Sequence, residues 1–480
     1  MVTDSPPLVV DLDGTLTPTD TLVEAIVKLV KQSPSNLIRL PIWYKQGKTV
    51  FKSRIAAKTQ LPAETLPYRE SLLDYLRAQK AQGRRIILAT ASHKSVADKV
   101  AQHLGIFDTV IATESVNLKG SNKLDAIQAS LGDDFVYAGD SAADTPIWNA
   151  AKAAILVGAS ASTVSKVRQT TPIEAEFPQP PLKLATWARA LHIHQWMKNL
   201  LIFVPMLTAF SFLNTATLSA AIMAFLAFSL AASATYVVND LWDLDSDRVH
   251  PRKRFRPLAS AEIPIANAVS VAALCLFAGL ILAWLVSMPF LLILLLYLVI
   301  TSSYSWALKH YVLIDVIVLS LLYTLRIFAG SVAIHVTTST WLLAFSVFVF
   351  LSLALVKRCS ELVTLKIAGG TQTSGRDYSV RDLVVLWPLG VGAAMSAVVV
   401  FGLFINAPDT ADRYAGPLLL WLVALGLIYW LSRLWIKTAR GEMHDDPVVY
   451  AIKDQASRIV VVMMAATMVA AHYLEIGSLT

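Results

Sequence analysis

Two kinds of hydrophobic patterning divide the chain. Up to about residue 175, short apolar runs alternate with longer amphipathic and polar stretches; beyond Pro181, long apolar runs follow one another. In the first part, residues 8–10, 85–89, 109–112, 135–138 and 154–157 read as strands. Their alternation with helical stretches predicts a parallel, doubly wound sheet with its chemistry at the strand C-termini. In the second part, runs such as 216–238 and 266–286 approach the ~20 residues that cross a bilayer, and about nine spans are expected. Phe177-Pro178-Gln179-Pro180-Pro181 reads as a stiff, extended linker. The expected organisation is an α/β domain over 1–175, a linker over 176–183 and an all-α membrane domain over 184–480.

Charge sharpens this picture. The formal net charge is +7. On a membrane protein such an excess belongs in cytoplasmic loops facing anionic lipid, so nucleic acid is not an expected partner. Arg248, Arg252, Lys253, Arg254 and Arg256 follow the second expected span and Lys309 the fourth. Lys357, Arg358, Lys366 and Arg376 follow the sixth, and Lys437 and Arg440 the eighth. The alternate loops are nearly bare, Arg413 being the basic residue there. The asymmetry predicts a multi-pass protein of the cell (inner) membrane, with the first domain and the basic loops cytoplasmic. The start, Met1 to Pro7, has no basic or long apolar signal region, which agrees. Cys275 and Cys359 offer neither a disulfide framework nor a metal spacing and are expected in packing.

The first candidate site begins at Asp11-Leu12-Asp13-Gly14-Thr15, directly after the first strand. Two carboxylates at a strand tip can divide phosphoryl transfer, one attacking phosphorus and the other protonating the leaving oxygen. A loop at Thr90 is placed to hold a phosphoryl group, and Lys123 to offset its charge. Gly139-Asp140-Ser141 with Asp144 would complete a Mg²⁺ site. Residues 7–160 thus resemble the haloacid dehalogenase-like (HAD) hydrolases. The resemblance implies Asp11 as nucleophile, Asp13 as acid/base, and Asp140 and Asp144 with the aspartates of the tip as the metal site. Lys119 competes for the lysine role; Lys123 is preferred because it opens a helical run. The insert over about 20–80 would be a small helical cap on a Rossmann-like core. Within it, Trp43, Tyr44 and Phe51 mix with Lys45, Lys48, Lys52 and Arg54. Such a face either rests on the membrane or packs on its own domain.

The second candidate site is Asn239-Asp240-Leu241-Trp242-Asp243-Leu244-Asp245-Ser246-Asp247. On a helix Asp240, Asp243 and Asp247 share a face, with Asp245 turned away. Carboxylates at a membrane helix end repel one another unless a cation such as Mg²⁺ sits among them, bridging to a diphosphate leaving group. Lys253, Arg254 and Arg256 follow closely enough to grip the same phosphates. The stretch resembles the UbiA superfamily of membrane prenyltransferases over residues 183–480, which implies a nine-helix bundle with a polar cytoplasmic pocket. Quinone-pathway members carry a second aspartate-rich loop after the sixth span, but here it reads Lys357-Arg358-Cys359-Ser360-Glu361. Basic residues suit an additional anion held directly.

That departure, with Asp247 to Ala259 and with Tyr323 to Gly330 around Arg326, is similar to the decaprenyl-phosphate phosphoribosyltransferase branch. The expected function is bifunctional. The membrane domain would move 5-phosphoribosyl from phosphoribosyl diphosphate to a polyprenyl phosphate, and the HAD domain would remove the 5-phosphate. An alternative is transfer of a prenyl group to an aromatic acceptor, with the HAD domain acting on an unrelated phosphomonoester. Each domain is expected to use one Mg²⁺, and a homo-oligomer is left open. Further substrate-site candidates are Lys198 and Asn199 beside Gln195, and Tyr304 and Lys309 near Asp315. Lys198 and Lys309 read equally well as interfacial anchors. Glu442, His444, Asp445 and Asp446 would cap the site or be solvated, and His192 and His194 read as interfacial.

Overall fold

The computed structural model describes residues 5–114, 116–373, 375–411, 413–443 and 446–474. Its backbone divides into two compact units, Met1–Ile193 with Tyr236–Ala273, and His194–Thr235 with Leu274–Thr480.

The first unit runs β1 (Leu8–Val10), α1 (Thr21–Gln32), α2 (Asn36–Lys45), α3 (Lys48–Lys58), α4 (Glu70–Ala81), β2 (Ile86–His93), α5 (Lys94–Leu104), β3 (Thr109–Thr113), α6 (Ser121–Leu131), β4 (Val136–Gly139), α7 (Thr145–Ala150), β5 (Ala153–Val157), α8 (Ala161–Thr170), β6 (Ile173–Phe177) and α9 (Leu184–Ala190). The six strands are all parallel in the order β3-β2-β1-β4-β5-β6. Helices cover both faces, so β1 is apolar throughout, and successive residues feed opposite cores. Leu8 and Val10 pack with Leu72, Leu76 and Val100, while Val9 packs with Ile87, Ile127 and Trp148. The strand order reverses at β1, which opens a crevice beyond the ends of β1 and β4. Five strands fall where the apolar runs predicted them. The sixth, β6, was not read: it is an edge strand whose Glu174 and Glu176 pair with Arg84 and Arg168, so it lacks the all-apolar signature of the others. It carries the sheet to Phe177, into the stretch expected as linker.

Helices α1 to α3 form a cap with its own core of Ala25, Leu29, Trp43, Phe51, Ile55 and Leu61. Of the two expectations for Trp43 and Phe51, a membrane face or packing on their own domain, the structure has the second: both are interior. Arg54 and Lys58 each stand 5.9 Å above the Trp43 ring. Leu37, Ile38, Ile42 and Tyr44 are the exposed apolar side chains of α2.

The chain continues with α10 (Val204–Thr208), α11 (Thr215–Trp242), α12 (Leu244–Val249), α13 (Ile265–Val286), α14 (Met288–Trp306), α15 (Ile314–Ala333), α16 (Thr340–Ile367), α17 (Leu383–Ile405), α18 (Pro408–Ala411), α19 (Leu420–Ala439), α20 (Pro447–Lys453) and α21 (Gln455–Tyr473). Among the described residues eight helices are long and apolar enough to cross a membrane, so the protein is a multi-pass membrane protein. The expected count was about nine. The first expected span is instead the 3₁₀ segment Ile193–Phe203 followed by the short α10. Its run is broken by Lys198 and Asn199, and Pro205 withholds a backbone donor.

In the second unit small residues bring segments close. A Cβ on Gly330 of α15 would stand 2.9 Å from the Ile202 carbonyl carbon, and one on Gly279 of α13 would stand 2.9 Å from the Ala227 carbonyl oxygen of α11. The largest core joins α15, α16, α17 and α19 through Val316, Phe350, Leu386, Leu431 and Trp435. An apolar cavity of about 400 Å³ is lined by Val204, Phe345, Phe401, Tyr414, Met464 and Met468, among others.

Candidate active sites

At the crevice of the α/β sheet, Asp11 follows β1 and Asp140 follows β4, while Asp144 lies one 3₁₀ turn further on. Ligand oxygens of these three carboxylates lie within 4.8 Å of one another. Lys123, on the first turn of α6, donates from Nζ to Asp11 Oδ2 at 2.7 Å and to the Tyr137 hydroxyl at 3.0 Å. Tyr137 in turn donates to Asp144 Oδ1 at 3.0 Å. Lys123 is buried against Asp11, whereas Lys119 is exposed. Gly14 (φ +81°) lies so near that a Cβ would meet the Asp140 carboxylate.

Asp13 stands apart from this triad. Its Oδ1 accepts from Thr21 N at 2.8 Å, and its Oδ2 accepts from the Ser92 hydroxyl. The Thr90 hydroxyl, fully buried within β2 just before its register irregularity, accepts from Ser92 N at 3.0 Å. Lys52 from the cap reaches Ala91 O at 2.6 Å and Asn117 Oδ1 at 2.7 Å, turning into the domain.

Burial, with the Asp144 and Asp11 charges, pushes Asp140 up to about 7. Burial also takes Asp11 to about 6 in spite of Lys123, and burial and Asp20 raise Asp13. Burial opposes the Lys123 charge, yet Asp11 and Asp144 outweigh it and hold its pKa above the ordinary value. Three carboxylates this close, short of positive charge and two of them reluctant to ionise, form a donor set that fits a hard divalent cation such as Mg²⁺.

The aspartate motif lies where α11 ends and α12 begins. Asp240 and Asp247 are buried and Asp243 half-buried. Arg256 donates from Nη1 to Asp240 Oδ1 at 2.9 Å and to Asp247 Oδ2 at 2.6 Å. Lys253 stands 3.6 Å from Asp247 Oδ1, a buried oxygen without a hydrogen-bond donor. Burial is the chief influence on Asp247 and raises its pKa despite Arg256. Among the described residues Asp240, Asp243 and Asp247 do not all bring ligand oxygens within 4.8 Å of one another as Asp11, Asp140 and Asp144 do. Arg256 bridges Asp240 and Asp247 instead, and the buried Asp247 Oδ1 left without a donor is open to a cation. His192, read from sequence as interfacial, lies with Nε2 2.9 Å from Asp240 Oδ2 and its ring 5.0 Å from that of Tyr236. Asn239 is half-buried, and Arg254 is exposed over the Phe255 ring.

In the second unit the candidate residues part into two groups. Lys198 and Lys357 both reach Asp446 Oδ2, at 3.4 and 3.2 Å. Burial alone would raise Asp446, but the two lysines outweigh it and hold its carboxyl below the ordinary range. Arg358 and Glu361 are placed differently from the expectation that they meet substrate. Arg358 is wholly buried, with Nε 2.9 Å from Asp315 Oδ2 and Nη1 on Glu361. Asp315 also accepts from the Tyr378 hydroxyl at 2.5 Å, and Arg376 stands 3.6 Å from Glu361. This network ties α15, α16 and the loop after α16 together. Arg326 and Asn199 are likewise committed inside the protein: Arg326 donates from Nε to Asn199 Oδ1 at 2.8 Å and from Nη2 to the Tyr297 hydroxyl at 3.2 Å. Tyr304 is half-buried among Arg358, Arg376 and Asp315. Lys309 is half-buried on a 3₁₀ turn. His444 and Asp445 lie outside the described residues.

Sequence reasoning missed Ser92, Tyr137 and His192 as parts of these sites. Tyr137 carried a readable signal, a polar ring on an otherwise apolar buried strand. Ser92 sits two residues past Thr90. Nothing near His192 marks it.

Residues 200–452 match the model of the UbiA prenyltransferase family, and residues 8–148 match that of haloacid dehalogenase-like hydrolases. The uncharacterized protein y4nM of Sinorhizobium fredii is 38% identical over 473 residues, 97% of this chain and 91% of that protein. The decaprenyl-phosphate phosphoribosyltransferase of Mycobacterium tuberculosis is 31% identical over 300 residues, 61% of this chain and 96% of that enzyme. A UbiA homolog from Archaeoglobus fulgidus solved with GPP and Mg²⁺ aligns with a TM-score of 0.46 at 17% identity, over 60% of this chain and 100% of that one.

Proposed function

Given that the chain belongs to the UbiA prenyltransferase family and carries a haloacid dehalogenase-like domain ahead of it, we propose a two-step lipid enzyme. In the first step the membrane domain moves 5-phosphoribosyl from phosphoribosyl diphosphate to a polyprenyl phosphate. In the second the soluble domain removes the 5-phosphate. The observation that carries the reading is the 31% identity that extends over 96% of the mycobacterial phosphoribosyltransferase. The apolar cavity of the second unit suits a prenyl chain. The basic loops favour an inner-membrane orientation with the HAD domain and both sites in the cytoplasm.

For transfer, a phosphate oxygen of the lipid forms a bond to ribose C1 while the C1–O bond to diphosphate breaks. Asp240, Asp243 and Asp247 would hold Mg²⁺, which neutralises charge on the departing diphosphate. Arg256 now occupies Asp240 and Asp247. Displaced from them, it is free with Lys253 and Arg254 to grip phosphate, and His192 orients Asp240. Lys198, Lys357 and Lys309 bind a further phosphate, and Asn239 and Tyr304 contact substrate. Arg326, Asn199, Arg358 and Glu361 act by holding the bundle.

For hydrolysis, Asp11 would attack the phosphorus of the monoester, and the ribose oxygen leaves with a proton from Asp13. Water, deprotonated by Asp13, then cleaves the aspartyl phosphate and releases inorganic phosphate. Thr90 and Lys123 hold the phosphoryl group. Asp11, Asp140 and Asp144 would hold the Mg²⁺ that offsets the negative charge there.

The test supplies phosphoribosyl diphosphate, labelled in the ribose, and polyprenyl phosphate to the purified full-length protein. The expected result is a labelled lipid with release of both diphosphate and phosphate. Asp11→Asn should keep the label and accumulate the phosphorylated lipid. Labelling with no phosphate release by the wild type overturns the second step. Transfer from a prenyl diphosphate to an aromatic acid, with no ribose labelling, overturns the first.

A further inference from the structure

Between Glu24 and Glu64 the cap contains no acidic residue and eight basic ones: Lys28, Lys31, Arg39, Lys45, Lys48, Lys52, Arg54 and Lys58. Lys52 turns inward to Asn117, and Lys31 lies 3.9 Å from Asp245. Arg39, Lys45, Lys48, Arg54 and Lys58 remain exposed. On the same helix as Arg39 and Lys45, apolar side chains also face outward: Leu37 is 55% exposed, Ile38 75%, Ile42 54% and Tyr44 57%. At about 100° per residue, Leu37, Ile38, Pro41, Ile42 and Lys45 share one side of α2, opposite the buried Asn36 and Trp43. A soluble domain gains nothing by showing water such a cluster, and exposed apolar patches mark interaction sites.

The first unit also fixes where this cap stands. Glu24 of α1 accepts a two-pronged ion pair from Arg248, at 2.5 and 3.2 Å, and both side chains are almost wholly buried. Arg248 belongs to α12, which starts two residues after α11, a helix of membrane-crossing length, has ended. The cap is thus fastened to a segment that emerges from the bilayer. Apolar side chains interspersed with Lys and Arg, in a stretch without Asp or Glu between Glu24 and Glu64, match an anionic lipid surface in both hydrophobicity and charge.

We propose that the outer face of α2, with Leu37, Ile38 and Ile42 inserted and with Lys45, the flanking Arg39 and Lys48 at the start of α3 on lipid phosphates, rests on the anionic leaflet of the membrane. The inference stands independently of the reaction assigned above.

It is tested on the full-length protein with Cys275 and Cys359 replaced by Ala, carrying an environment-sensitive fluorophore at Ile38→Cys or, as control, at the exposed Ala129→Cys of α6. Both are reconstituted in vesicles of phosphatidylcholine with or without phosphatidylglycerol. With phosphatidylglycerol, lipid-borne nitroxide should quench the Ile38 probe at least threefold more than the control, and aqueous iodide should quench it less. Reversing Arg39, Lys45 and Lys48 to Glu should remove that difference. Iodide quenching equal to the control in both lipids overturns the proposal. Protection that follows the protein-to-lipid ratio and ignores phosphatidylglycerol assigns the face to a second copy of the chain and overturns it as well.

Discussion

Arg358 separates two readings of the loop that follows the sixth expected span. As a substrate ligand its loss would weaken binding; as an internal strut its loss would weaken the protein. Its side chain and that of Asp315 are both 0% exposed, and their nearest atoms are 2.9 Å apart. Two charges about 4 Å apart attract by about 4 kcal/mol at an effective dielectric constant of 20. Arg358→Met leaves the Asp315 carboxylate buried with the Tyr378 hydroxyl as its remaining donor, a type of break that costs about 3–5 kcal/mol. In a helical bundle of this size the apparent Tm should fall by roughly 10 °C. Adding Asp315→Leu removes the stranded charge; the Tyr378 hydroxyl still accepts from Leu313 N at 2.9 Å and only its O–H loses an acceptor, which costs about 1–3 kcal/mol, so the double variant should recover a large part of the loss. Thermal unfolding of the detergent-purified protein, followed by tryptophan fluorescence, measures all three variants. KM for the donor, taken well below the transition, is read alongside. A wild-type Tm for Arg358→Met together with a raised KM would refute the structural reading and return Arg358 to the substrate.

Three further outcomes follow from the geometry. The Asp140 carboxyl rises to about 7 and Asp11 to about 6, against 3.8 when unstructured; metal-free, their stability contribution is therefore full below pH 3.8 and lost as pH rises to about 7. Because Mg²⁺ needs the ionised forms, its upward shift of Tm should grow between pH 5.5 and 8 in scanning fluorimetry, and a shift flat across that range would count against these carboxylates as the ligands. Glu24→Gln weakens the buried pair with Arg248 by about 2 kcal/mol, so amide exchange in α1 should speed roughly thirtyfold, and unchanged exchange would mean the pair does not hold the cap. Gly330→Ala places a Cβ 2.9 Å from the Ile202 carbonyl carbon and should destabilise the membrane domain by about 1–3 kcal/mol, seen as a shorter half-life of activity in detergent.

What the sequence disclosed and what it hid follow from the range of the interactions involved. Asp11, Asp140 and the core strands are local facts: a buried parallel strand must be apolar, and the residue just past its end is where the chain turns polar. The helical setting of Lys123 is also local: the first turn of α6 points to the crevice and brings Lys123 Nζ to 2.7 Å from Asp11 Oδ2. Edge strand β6 was invisible, since solvent on one side lets Glu174 and Glu176 interrupt its apolar run. The basic loop was read for composition, which counts charges without their partners. Asp315 lies 43 positions before Arg358, and no periodicity links them. The same blindness left Trp43 and Phe51 open between a membrane face and packing on their own domain. A tryptophan among lysines looks alike in sequence whether the lysines shield it or escort it to lipid; here Arg54 and Lys58 cover its ring. What does survive from sequence to structure is the charge of the cap as a whole. A helix can hide an aromatic ring by rotating, but eight cations with no acid between Glu24 and Glu64 cannot all be hidden. Their field therefore acts on whatever lies within about 8–10 Å of that surface at physiological salt. For a cap fastened by Arg248 to the end of a membrane helix, that neighbour is the bilayer.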